Sequence, residues 1–220
     1  MKRFVLVAAL AFLLAPVSAW ADTIDFNVSA PTDGSISYDG SGGPLVGSDI
    51  QVDNVVGLGT PANDGSTLTI TDGLLNFITG SNTSEGPDTW TFDGGGSIAI
   101  TGCIDTGGGE ECGTLMQGSF DSASVFGQDG SFLVAIAGFT DWKDEDLAAY
   151  FGLANITDWS GNFNISFSGA LGADGSIRST TLFSGDVVNN PVPEPATLTL
   201  LGSGLVAVAG MVRRRRQKKS

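Results

Sequence analysis

Nucleophilic catalysis at neutral pH usually leans on a histidine, and this chain of 220 residues contains none. Ser-His-Asp and Cys-His arrangements are therefore excluded. Carboxylate is abundant instead: 24 Asp and Glu stand against 10 Lys and Arg, for a net charge of −14. Paired carboxylates hydrolyse glycosides. Yet almost every Asp here sits in a turn context, and so acidic a composition brings carboxylates together by accident. No catalytic residue is assigned, and the chain reads as non-enzymatic. Asp105, Glu110 and Glu111, in "CIDTGGGEEC", could hold calcium, but they follow neither the EF-hand nor the nonapeptide calcium pattern. A solvated loop is the expectation, with no metal and no cofactor. The same loop is no phosphate cradle, because it lacks a lysine and its two glutamates repel phosphate. Its ends, Cys103 and Cys112, are half a zinc site at most. In an exported chain a close, even pair of cysteines reads as a disulfide. Trp90, Trp142 and Trp159 could stack on sugar rings. Tryptophans are mostly buried, so core packing or anchoring of a helix is expected of them.

The elements that must position these groups are strands. Asp-Gly occurs at Asp33, Asp39, Asp64, Asp72, Asp93, Asp129 and Asp174, and five of these are followed by Ser. Asp-Gly accepts the positive φ angles of tight hairpin turns. Between these signals lie short runs of Ile, Val, Thr and Phe. "STLTITDGLLNFITG" alternates on both sides of its Asp-Gly, and "TWTFDGGGSIAITG" does so around a glycine turn. In "GNFNISFSG" the alternation puts Phe163, Ile165 and Phe167 on one face, and after a turn Ile177 continues it. Period two with such punctuation predicts about ten to twelve strands in an all-β antiparallel sandwich or barrel, with a β-sandwich or jelly-roll-like body as the expected form. One segment, "TDWKDEDLAAYFGL", departs from the pattern. Asp141 as N-cap, acids in the first turns, an apolar side of Leu147, Tyr150 and Phe151, and Gly152 at the C′ position predict one short helix over about Trp142 to Phe151.

Charge is distributed unevenly. All but two of the ten basic residues lie in the terminal segments, leaving Lys143 and Arg178 in residues 22–190 against 23 acids, a net charge of −21. A nucleic acid needs a basic face and is not a partner of such a body.

Both ends read as targeting segments. Residues 1–21 have Lys2 and Arg3, an apolar run from Phe4 to Leu14, and Ala19-Trp20-Ala21. This is a secretory signal peptide, with signal peptidase expected to cut after Ala21. Residues 22–190 form the acidic, glycine-rich body, and 191–195 a linker carrying Pro193-Glu194-Pro195. Residues 196–212 are apolar, long enough for about 25 Å of helix, which predicts a short C-terminal transmembrane helix in the inner membrane. Residues 213–220 are a basic cytoplasmic tail in which Arg213, Arg214, Arg215 and Arg216 stop transfer.

A plain anchor explains the span and the arginines but not two prolines set against them. Pro193 and Pro195 hold the backbone extended, the form a processing enzyme can grip. Pro-Glu-Pro, a short glycine-containing span and a terminal arginine cluster, in that order, resemble the PEP-CTERM sorting signal of Gram-negative bacteria. The resemblance covers about the last 28 residues. It implies export, cutting near Pro193-Glu194-Pro195 by an exosortase, and delivery to the cell surface or an extracellular polysaccharide matrix. It assigns no activity to the body, for which a carbohydrate-binding module and, after it, a polysaccharide hydrolase are the alternatives to a non-enzymatic role.

Overall fold

The structure, a computed structural model, describes residues 22–192 and Gly204. The signal peptide with Ala19 and Ala21, the Pro193-Glu194-Pro195 motif, the expected transmembrane segment (Gly204 apart) and Arg213 to Arg216 lie outside the described residues. No helix among those described is long and apolar enough to cross a membrane.

The body is all-β with one short helix, as expected. Its strands are β1 (Thr23–Val28), β2 (Ser35–Tyr38), β3 (Pro44–Gln51), β4 (Asn54–Leu58), β5 (Thr67–Thr69), β6 (Thr71–Glu85), β7 (Thr89–Asp105), β8 (Glu110–Gln128), β9 (Ser131–Lys143), β10 (Trp159–Leu171) and β11 (Ile177–Pro191), with helix α1 (Glu145–Tyr150) between β9 and β10. All eleven strands belong to one sheet, and β11 pairs with β10 on one side and with both β1 and β2 on the other. β1 and β2 run along one line, as do β3 with β4 and β5 with β6, because each couple pairs antiparallel with the next. Eight runs therefore follow one another up and down and close on themselves. The result is a barrel-like sheet rather than the expected sandwich or jelly roll.

The glycines explain the closure. The Asp-Gly at Asp129 makes the expected two-residue hairpin, both residues having positive φ (51° and 79°) between paired Gln128 and Ser131. Those at Asp39, Asp64 and Asp174 also lie between strands. Asp72-Gly73 and Asp93-Gly94 do not. They sit inside β6 and β7, where the register shifts between Thr71 and Leu74 and between Gly95 and Ile98. A Cβ on Gly96 (φ +69°) would stand 2.0 Å from the Ile78 carbonyl oxygen, and one on Gly94 2.4 Å from that of Asp121. The expected glycine turn is thus a bulge in a long strand, and such bulges bend a sheet enough to close it.

An eight-run barrel is just wide enough for side chains to fill. Phe26, Phe92, Phe139, Phe163 and Phe167 are fully buried. Phe132 and Phe167 stack with centroids 5.1 Å apart, and Phe77 meets Phe163 edge-on at 5.3 Å. On β10 the outward positions are polar, Asn162, Asn164, Ser166 and Ser168, against buried Phe163, Ile165 and Phe167. A lipid-facing barrel carries its apolar band on the outside; here most large apolar side chains lie within, and Phe126 opposite Leu133 forms an exposed apolar pair outside.

α1 closes one end of the barrel. Its N-cap is Asp144, whose carboxylate accepts from the N–H of Asp146 and of Leu147, and not Asp141 as expected. The β8–β9 ladder holds Trp142 and Lys143 in strand, opposite Gln117 and Met116, so the helix starts later. Its end is as expected. Gly152 (φ +79°) donates to the Ala149 carbonyl at 2.9 Å and Leu153 to that of Ala148 at 2.8 Å, a Schellman arrangement. Phe151 packs against Gly57, and Asn63 Nδ2 donates to the Tyr150 carbonyl at 2.7 Å, tying α1 to the β4–β5 side.

Candidate functional site

Cys103 and Cys112 face each other across β7 and β8 and are joined in a disulfide. Glu110 is their nearest potential metal ligand. With both sulfurs bonded to each other, that group offers one carboxylate and no thiolate. Asp105 Oδ1 accepts from the N–H of Gly107 at 2.8 Å and of Gly109 at 3.2 Å, so its carboxylate shapes its own turn. Glu111 lies beside Asp146 instead of beside Asp105. The hydrogen bond and charge of Asp146 push its carboxyl above the usual range. Replacing both cysteines by serine is expected to cost about 2–3 kcal/mol, the loop entropy the bridge removes from the unfolded chain. Urea unfolding with and without reductant measures it, and the variant should be insensitive to reductant.

Two Asp-Gly-Ser turns repeat one geometry. Asp39 accepts from Ser41 N–H at 2.9 Å and Oγ at 2.7 Å, and Asp174 accepts from Ser176 at 3.1 and 2.7 Å. These hydrogen bonds hold both carboxyls below the usual range. The serine after Asp-Gly is thus part of the turn, which accounts for its recurrence.

The three tryptophans separate. Trp90 and Trp159 are core residues, whereas Trp142 is 45% exposed on the outer side of β9. Beside it runs a shallow trough lined by Gln117, Ser119, Thr140, Trp142, Thr157 and Asp158.

Sequence reasoning missed an interior ion pair. Asp141 and Lys143 both point inward from β9, with fully buried side chains, and the Lys143 ammonium contacts Asp141 Oδ2. Lys143 Nζ also lies 4.9 Å from the Trp159 ring centroid. Burial pushes the Lys143 pKa well below the usual lysine range. Asp141 Oδ1, Trp159 Nε1 and Asn189 Oδ1 are buried without a protein hydrogen-bond partner. The signal was the strand alternation itself, Phe139, Asp141 and Lys143 in and Thr140 and Trp142 out.

One half-buried carboxyl has the raised pKa that acid–base chemistry uses. Asp25 on β1 is half-buried, and its pKa rises to about 6, mainly through burial and then through the charge of Asp186 on β11. Both residues occupy the outer surface of the barrel wall. The folded state therefore favours protonated Asp25. Its stabilising contribution is present below pH about 4 and is lost as pH rises through about 6. Asp25→Asn is accordingly expected to raise stability at pH 8 by about 1 kcal/mol, the full shift being discounted for solvent screening. At pH 4 it should change nothing. Thermal unfolding at the two pH values checks this, and an equal gain at both would remove the charge explanation.

The folded body reaches into the segment read as a linker. Pro191 is the last residue of β11, opposite Trp159, and Val192 N–H donates to the Asp158 carbonyl at 2.9 Å. The next residue is Pro193. Residues 191–216 match the PEP-CTERM protein-sorting motif, and the chain is consistent with a PEP-CTERM protein. The motif marks an exported protein addressed to an exosortase-type sorting machinery and, in general, to the surface. No curated protein and no solved structure matches the chain.

Proposed function

We propose that this is a non-enzymatic exported protein held in the inner membrane only until its tail is cut. Signal peptidase removes residues 1–21, and the span 196–212 with Arg213 to Arg216 then arrests the chain. An exosortase cuts near Pro193-Glu194-Pro195 and releases the body to the cell surface or an extracellular polysaccharide matrix. One observation carries the reading: the matched motif begins at Pro191, where the last strand of the body ends. A folded barrel cannot enter a protease groove, whereas a segment that two prolines keep out of a helix and that begins just after the last strand can. β1 likewise begins at Thr23, just past the expected signal cleavage after Ala21. The role is read as non-enzymatic because the two raised carboxyls described above lie outside any cleft: Asp25 is on the outer wall beside Asp186, and Glu111 is exposed beside Asp146.

The mass of the surface form tests this. Protein recovered from the cell surface or medium should begin at Asp22 and end near Glu194, without Arg213 to Ser220. A surface form that retains its arginines contradicts the proposal.

A further inference from the structure

Many acids of this body sit in turns and bulges, and one part of the barrel wall carries few of them, Asp158 at its trough and Asp186 opposite Asn164. Across β8, β9 and β10 the outward residues are Gln117 opposite Trp142, Thr140 opposite Ser160, then Asn162 and Asn164 further along β10. All six are exposed. Among the described residues none of their side chains makes a hydrogen bond to the protein. Neighbouring outward amides are different. Asn27 Nδ2 donates to Asn54 Oδ1 at 3.1 Å, and Asn190 Oδ1 accepts from Thr23 Oγ1 at 2.9 Å. The unpartnered amides and hydroxyls therefore form a strip with one indole at its end, beside the trough that Trp142 helps to line.

We infer that this strip binds a neutral polysaccharide. An indole offers an apolar face to the C–H side of a sugar ring. Side-chain amides offer a donor and an acceptor together, which suits adjacent hydroxyl groups. The interaction is not driven by charge. A body of net charge −21 repels uronate or sulfated chains, and the strip offers them no cation. A nucleic acid is refused for the same reason. Strands closed into a barrel hold the six side chains at fixed spacing, so little ordering is needed on binding. The inference deepens the proposed delivery to a polysaccharide matrix, but it depends on the surface of the body and not on the tail.

The test is affinity electrophoresis of the full-length chain in neutral detergent, through gels holding a β-glucan, a mannan, a galactan or a polyuronate. At least one neutral polysaccharide should retard the chain, and the polyuronate should not. Trp142→Ala should weaken retardation at least tenfold with an unchanged unfolding temperature, and Asn162→Ala with Asn164→Ala should weaken it further. Phe126→Ala, an equally exposed aromatic at the far end of β8, should change nothing. The inference is overturned if no neutral polysaccharide retards the chain, if the polyuronate retards it as strongly, or if Trp142→Ala behaves like Phe126→Ala. Because binding is read on purified chain, its failure is distinct from a failure of sorting, which shows only in the cell.

Discussion

Replacing Lys143 by methionine is expected to lower the stability of the body by about 3–5 kcal/mol, a large part of what a domain of this size has. The substitution keeps most of the apolar stem over Trp159 but removes the charge that compensates Asp141. Asp141 is then a fully buried carboxylate whose Oδ1 already lacks a partner. It must ionise unpaired or take up a proton, and both are unfavourable. The paired replacement, Lys143→Met with Asp141→Leu, removes both charges and should lie within about 2 kcal/mol of the parent on either side. Urea unfolding at pH 7, with the slope checked for constancy, measures both. A loss under about 1 kcal/mol in the single variant would mean that water reaches the pair and that the interior is not as closed as described.

The same pair shows where local sequence reading stops. "TDWKDEDL" is charged enough to be placed on the surface of a helix, and Asp141 and Asp144 are equally good caps by residue type. What separates them is the β8–β9 ladder, which keeps Asp141 to Lys143 in strand and leaves Asp144 as the first residue free to cap. Carried forward from Phe132 and Val134, the alternation puts Asp141 and Lys143 outside; only counted from Phe139 does it put them within. Phe132 and Val134 point inward at even positions, Phe139 and Asp141 at odd ones, and the change falls in a stretch containing Gly138 at φ +101°. The hairpin at Asp129-Gly130 and the buried face of Phe163, Ile165 and Phe167 were legible because they depend on neighbours in sequence. Closure was not, because it requires β11 to meet strands about 150 residues earlier, which period two does not encode. The Gly94-Gly95-Gly96 run reads equally as turn or bulge until the carbonyls of Ile78 and Asp121 stand next to it. Of the tryptophans, only the alternation around Thr140 and Trp142 distinguishes the exposed one from its two buried counterparts. The sorting motif was legible, since the order and composition of residues 191–216 define it.

The second large effect concerns that tail. If it is only an anchor, Pro193, Glu194 and Pro195 are dispensable, because the span and the arginines retain the chain whatever precedes them. If it is a processing signal, the extended tripeptide is what the enzyme reads, and alanines there remove both the conformational restriction and the carboxylate. Replacing all three by alanine is therefore expected to leave export intact while nearly all of the chain accumulates uncut in the inner membrane. The body should be unaffected, since its last strand ends at Pro191. The most direct measurement is fractionation of parent and triple-alanine cells, followed with an antibody against the body. The account predicts a shortened parent at the surface or in the medium, and a variant confined to the inner membrane at its full length less the signal peptide. A variant that reaches the surface as efficiently as the parent, at the same mass, would contradict it.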